Sequence, residues 1–146
     1  MTIQRYDATQ LPEPVTQLNI ARFLAGALEK YGDPISHIEA CLDYALGNKP
    51  EQGGAVWVAK SEQEQLLGAV VVNHTHMKAY IPEHILVYIA VAPEARGRGV
   101  GKKLMQAAIE HLPGSIALHV EADNPAVGLY ESLGFQNKYL EMRLQK

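Results

Sequence analysis

The chain alternates between two hydrophobic periods, and each change of period marks a change of element. Residues 3–6 read as a short first strand, and Pro12 and Pro14 then mark a turn or a helix start. Ile20, Leu24, Ala27, Leu28 and Tyr31 recur at helical spacing, which predicts a helix over residues 15–31, broken by Gly32-Asp33-Pro34. Ser36-His37-Ile38-Glu39 has the form of a capping box and opens a second helix that runs to about Leu46. Residues 55–60, with Val56, Trp57 and Val58, predict a strand. Residues 66–75, with Val70-Val71-Val72, predict its hairpin partner across a polar turn. Residues 85–91 are apolar at both parities, as in a strand buried on both faces. Val100, Leu104, Ala107, Ala108 and Leu112 form one stripe, giving a helix over about 98–111 that Pro113-Gly114 ends. A strand over 115–120, a helix over 125–133 and a last strand over 138–144 complete the order β-α-α-β-β-β-α-β-α-β. That is an α/β chain with a central mixed sheet flanked by helices. Its strands 85–91 and 115–120 are expected to lie parallel through a right-handed crossover.

Composition removes several classes of function. The 146 residues suit one domain, 1–146, and 47% hydrophobic with 20% charged residues is ordinary for a soluble globular protein. A net charge of −3 argues against a general nucleic-acid binder. No apolar run reaches the roughly 18 residues of a membrane span, and the first residues lack the apolar core of a signal peptide. The single cysteine, Cys41, permits no internal disulfide and reads as a small buried residue, so a reducing cytoplasm is expected. His74 and His76 share one face of a strand but bring no third ligand, so no metal is expected. Tyr80 and Tyr88 read either as packing or as lining for a substrate.

Chemistry concentrates between the strand 85–91 and the helix that follows. Arg96-Gly97-Arg98-Gly99-Val100-Gly101-Lys102-Lys103 combines three glycines with four cations. Unpaired amides at a helix N-terminus bind anions, and glycines let backbone approach a ligand closely. A pyrophosphate-bearing ligand is the expected occupant. The P-loop pattern fails, because Arg96 takes the place of its first glycine and Lys103 that of its hydroxyl. The dinucleotide fingerprint fails too: its third glycine falls on Lys102 or Leu104.

What fits without a gap is [Q/R]-x-x-G-x-[G/A], filled by Arg96, Gly99 and Gly101 after Val91-Ala92-Pro93. This resembles the coenzyme A signature of the GNAT N-acetyltransferase superfamily. Residues 124–135, from Asn124-Pro125 through Leu129-Tyr130 to Gly134-Phe135, resemble that superfamily's second signature, N-x-x-A-x-x-L-Y-x-x-x-G-F. The family's alanine is shifted here to Ala126 or replaced by Gly128. The segment also stands on its own chemistry. Asn124 suits an N-cap, Pro125 the first helical position and Gly134 the residue past the helix end.

The resemblance implies a GNAT-type acyl-CoA N-acyltransferase fold and direct acetyl transfer from acetyl-coenzyme A, used as cosubstrate, to a primary amine. It implies pyrophosphate binding by Arg96, Gly97, Arg98, Gly99, Val100, Gly101 and Lys102. It assigns the pantetheine arm to the backbone of Ile89 and Val91 and to Asn124, in a V between splayed strands. Tyr130 matches the tyrosine that protonates the departing thiolate; without the motif it would read as a core aromatic. For the base, Glu83 comes first and His119 and Glu121 follow, each of which also reads as a solvated or structural residue. The acceptor is expected to be a small-molecule amine or a peptide or protein amine, without nucleic-acid or membrane partners; if the chain self-associates, a homodimer is the commonest form. Two other readings carry weight: a non-catalytic acyl-CoA-binding or sensing domain, and a phosphate-binding module unrelated to acyl transfer.

Overall fold

A computed structural model describes all residues, 1–146. Five strands form one sheet in the order β1-β2-β3-β4-β5: β1 (Thr2–Tyr6), β2 (Gly54–Lys60), β3 (Leu66–His74), β4 (His84–Val91) and β5 (Ile116–Leu118). The first three pairings are antiparallel and β4–β5 is parallel, as the crossover through α3 (Val100–His111) requires. The α/β class and mixed sheet of the expected fold are therefore present. No helix is long and apolar enough to cross a membrane.

Strand alternation sorts the core onto two faces. Val56, Val58, Val71 and Tyr88 pack with Ile20 and Leu24 of α1 (Pro14–Ala27) and Ile38 and Leu42 of α2 (Ile35–Leu46). Val70, Val72 and Leu86 pack on the other face with Leu104 and Met105 of α3 and Tyr130 of α4 (Ala126–Ser132). Each fully buried aliphatic side chain contributes about 1.5–3 kcal/mol. Gly68 sets how closely α3 approaches: a Cβ there would lie 2.8 Å from Leu104 Cδ1 and 3.0 Å from Val100 Cγ1.

Two irregularities shape β4. Tyr88 pairs with Val71 and Leu86 with Val72, so Val87 is an extra residue, a β-bulge. The β5 ladder covers only His84, Ile85 and Leu86. Beyond them, residues 87–91 have no strand neighbour on that side, and the two parallel strands part.

Several expected elements differ. The helix expected over 15–31 stops at Ala27; Glu29 has φ 55°, and a single 3-10 turn, Glu29–Tyr31, follows. The capping box is absent. Pro34, with ψ 145°, is the N-cap of α2, and its carbonyl accepts from His37 and Ile38. Ser36 therefore lies inside the first turn. α3 begins at Val100 rather than 98, because Gly97 and Gly99 have φ of 80° and 78°. The last strand, expected over 138–144, does not form. Tyr139, Leu140, Met142 and Leu144 are 80–90% exposed there. A period-2 pattern becomes a strand only with a ladder partner, and no strand pairs with these residues.

Candidate active site

Sequence builds the loop between β4 and α3 as an open cradle. Pro93–Ala95 form a 3-10 turn, and Gly97 and Gly99 then take left-handed conformations that favour glycine. Nothing lies within 4 Å of where a Cβ at either would sit. The first bond of α3 runs from Lys103 N–H to Gly99 O, which leaves the amides of residues 97–102 without backbone partners. Arg98, Lys102 and Lys103 are exposed around them. Arg96 differs from the other cations. Its guanidinium donates to Val91 O at 3.2 Å and Ala27 O at 3.0 Å and pairs with Glu29 at 3.5 Å. It ties the loop to the end of α1 instead of facing the cradle.

The cradle meets the parted strands and α4. A Cβ at Gly101 would touch Leu129 Cδ2 at 3.4 Å and Val91 Cγ2 at 3.5 Å, so the start of α3, the end of β4 and α4 converge. Next to Leu129, Tyr130 is 7% exposed and lies 6.1 Å from the Phe135 ring. Burial alone raises its pKa, so the phenol stays protonated. Asn124 Oδ1 accepts the Ala126 amide at 2.9 Å and so fixes the entry to α4, although Pro125 occupies the N-cap position.

The amides of residues 97–102 form the cradle, Val91 and Leu129 close in beside Gly101, and Arg96 braces the loop from behind. Glu83 is not among them. It precedes β4 at the end where β4 and β5 are still paired, and its carboxylate packs over Gly114. Strand geometry separates it from Val91 by about 26 Å, at about 3.3 Å per residue. Glu83 therefore lies far from the cradle, and only about 13 Å along the strand from the bulge at Val87. His119 and Glu121 lie exposed on the loop after β5.

The segment between α1 and α2 carries residues that no motif signals. Lys30 pairs with Asp123 at 3.2 Å, and the Tyr31 hydroxyl donates to Asp123 O at 3.3 Å. Tyr88 donates its hydroxyl to Asp33 Oδ2 at 2.5 Å. With Arg96, these contacts run the segment 27–33 across the C-terminal ends of β4 and β5. Desolvation and the Asp33 carboxylate push the Tyr88 pKa upward, so it remains a donor. Gly32-Asp33-Pro34 reads in sequence only as a helix break.

On the α2 side of β4 lies a cavity of about 420 Å³. Met77, Ile81, Ile85 and Val87 line it with Tyr44 and Asn73. Asn73 Nδ2 donates to Cys41 Sγ at 3.4 Å, while its Oδ1 is buried without a partner. Burial pushes the Cys41 thiol up to about 12, which makes it inert as a nucleophile. Elsewhere, His74 stacks edge-on with His76 at 4.4 Å and with His84 at 5.0 Å. Sequence inspection misses His84 because it joins His74 only across the β3–β4 pairing.

Comparison with known proteins fits this geometry. A family model described as "Acetyltransferase (GNAT) domain" matches residues 52–137. The peptidyl-lysine N-acetyltransferase YjaB of Salmonella typhimurium is 31% identical over 81 residues, covering 56% of this chain and 50% of that protein. The mycothiol acetyltransferase of Corynebacterium glutamicum is 36% identical over 104 residues, covering 59% of this chain and 36% of that protein. The chain thus spans half or less of the length of these curated relatives. Among solved structures, an aminoglycoside N-acetyltransferase, AAC(6')-Iy, in complex with CoA superposes with a TM-score of 0.70 at 20% identity, covering 99% of this chain and 93% of that one. A putative acetyl transferase from Pyrococcus furiosus superposes with a TM-score of 0.62 at 24% identity, covering 99% and 100%. At these identities the superpositions speak for the fold.

Proposed function

Because this chain belongs to the GNAT acetyltransferase family, we propose that it transfers an acetyl group from acetyl-coenzyme A directly to the primary amine of a small molecule or peptide. The observation that carries this reading is the convergence of unpartnered amides at residues 97–102, the end of β4 that β5 leaves unpaired and helix α4, which carries Tyr130.

Each surface meets one demand of such a ligand. The amides of Gly97, Arg98, Gly99, Val100, Gly101 and Lys102, with the exposed charges of Arg98 and Lys102, suit a pyrophosphate. Arg96 holds that loop from behind through Ala27 and Val91. The backbone of Ile89 and Val91, which no strand pairs on the β5 side, suits the amides of the pantetheine arm together with Asn124. The bulge at Val87 turns backbone toward the position where negative charge develops on the thioester oxygen. Tyr130 is the acid that protonates the departing sulfur. The donor supplies the activated acyl group, and the chain supplies position, charge and the two proton transfers.

Calorimetric titration with acetyl-coenzyme A, against ATP and NAD, tests the first half of the reading. Micromolar binding of acetyl-coenzyme A alone supports it; tighter binding of ATP would replace it with a phosphate-binding module. Thiol release in the presence of amines then separates a transferase from a non-catalytic binder.

A further inference from the structure

We propose that Asp33 receives the ammonium of the acceptor and takes its proton, and that the cavity beside Val87 takes an apolar body. The acceptor is then a monoamine with an apolar substituent. The proposal rests on the acetyl-transfer reading and deepens it.

Three observations carry it. Asp33 is exposed on the segment that crosses the parted strands, and only its Oδ2 is held, by Tyr88. The other oxygen is free for a cation. Tyr88 follows the bulged Val87, which lines the 420 Å³ cavity, and the Asp33 charge reaches Cys41, the partner of Asn73 on the cavity wall. The nearby carboxylates Glu29 and Asp123 are paired with Arg96 and Lys30.

The cavity decides the rest of the acceptor. Met77, Ile81, Ile85 and Val87 dominate its wall, and no acidic residue lines it. The further charges of a polycation would find no acidic partner on this wall. An apolar body loses nothing on entering. Asn73 Oδ1, buried and unpartnered, suits one hydrogen-bond donor on that body.

The protons balance. Asp33 takes one from the ammonium and passes it to water. The neutral nitrogen attacks the thioester carbonyl carbon; the C–N bond forms and the C–S bond breaks. The nitrogen sheds a second proton as the amide forms, matching the one that Tyr130 gives to the sulfur and then regains.

The test uses the intact protein, acetyl-coenzyme A and three probes: phenethylamine, hexylamine and spermidine. The wild-type protein should acetylate both monoamines with kcat/KM at least tenfold above that for spermidine. Asp33→Asn keeps an acceptor for the Tyr88 hydroxyl and so keeps the fold. It should lower kcat about 100-fold at pH 7, with recovery as pH rises and the amine loses its proton unaided. Tyr88→Phe frees Asp33 and should raise KM for the monoamine while acetyl-coenzyme A affinity stays unchanged. Preference for spermidine, or full turnover by Asp33→Asn at pH 7, overturns the proposal and leaves acetyl transfer standing. A wild-type protein that acetylates none of the three probes, but does acetylate another amine class, also overturns it. Transfer to no amine at all removes the underlying reading with it.

Discussion

Replacing Gly97, Gly99 and Gly101 one at a time by alanine separates backbone conformation from crowding in the cradle. At Gly97 and Gly99 an added Cβ meets no atom within 4 Å, so the whole effect is the left-handed φ of 80° and 78°. An L-residue there costs about 1–2 kcal/mol, partly offset by about 0.4–1 kcal/mol from the stiffer unfolded chain. A net loss of about 1 kcal/mol is expected at each, a fall of about 3 °C in Tm for a domain of this size. Gly101 is different. It is helical, and its Cβ would make ordinary contacts at 3.4 and 3.5 Å with Leu129 and Val91. Alanine is the better helix former by up to about 1 kcal/mol, so Gly101→Ala should be neutral or stabilising. Urea unfolding of the three variants reads the stabilities, and calorimetry reads acetyl-coenzyme A affinity. Affinity should survive Gly101→Ala, weaken in Gly97→Ala and Gly99→Ala, and vanish in Gly99→Glu, which adds a like charge to the cradle. Equal stabilities across the three alanine variants would refute the conformational argument, and unchanged affinity in Gly99→Glu would refute the assignment of the cradle.

Other perturbations reach the remaining parts of the molecule. Tyr130→Phe should lower turnover about 100-fold with cofactor affinity nearly intact; wild-type turnover would remove the acid role. Gly68→Ala should cost about 1–3 kcal/mol by pressing on Leu104, and Leu104→Ala about 3 kcal/mol through the cavity it leaves. Combined, the pair should cost less than the sum by more than about 0.5 kcal/mol in urea unfolding, and strict additivity would contradict the contact. Desolvation lowers the pKa of His74 and of the buried His84 below the ordinary 6.5, so the unfolded chain binds more protons. Stability should hold above pH 6.5 and fall below it, by at most about 1.4 kcal/mol per pH unit for each histidine. A flat unfolding free energy between pH 7.5 and 5.5 would exclude this pair as its source.

The sequence pattern and the fold agree wherever a residue's role is set by its near neighbours along the chain. The β2–β3 hairpin, the stripe of α3 and the glycine cradle all fall within a residue or two of their expected bounds. Disagreement begins where a distant partner decides. Ser36 and Glu39 spell a capping box, but Pro34 starts the helix before either can act. Residues 138–144 alternate like a strand, yet no strand of the sheet pairs with them. Arg96 reads as a phosphate ligand because its local pattern says so. Its actual partners, Ala27 and Glu29, are some 70 positions earlier, on a segment whose course only the fold decides. Asp33 is hidden for the same reason: 55 positions separate it from Tyr88.

The unpaired stretch of β4 has a consequence for life in a crowded solution. A strand with free N–H and C=O groups is ordinarily an invitation to self-association, because another chain can add to it. Here the open edge is not on the rim of the sheet. It faces the cleft that β5 walls, and the segment 27–33 closes the end of that cleft through Arg96, Asp123 and the Tyr88–Asp33 bond. Whatever pairs with that stretch of backbone must enter the cleft rather than add at the rim of the sheet. Backbone adhesiveness is thereby turned inward, toward a guest in the cleft, rather than outward toward neighbouring chains.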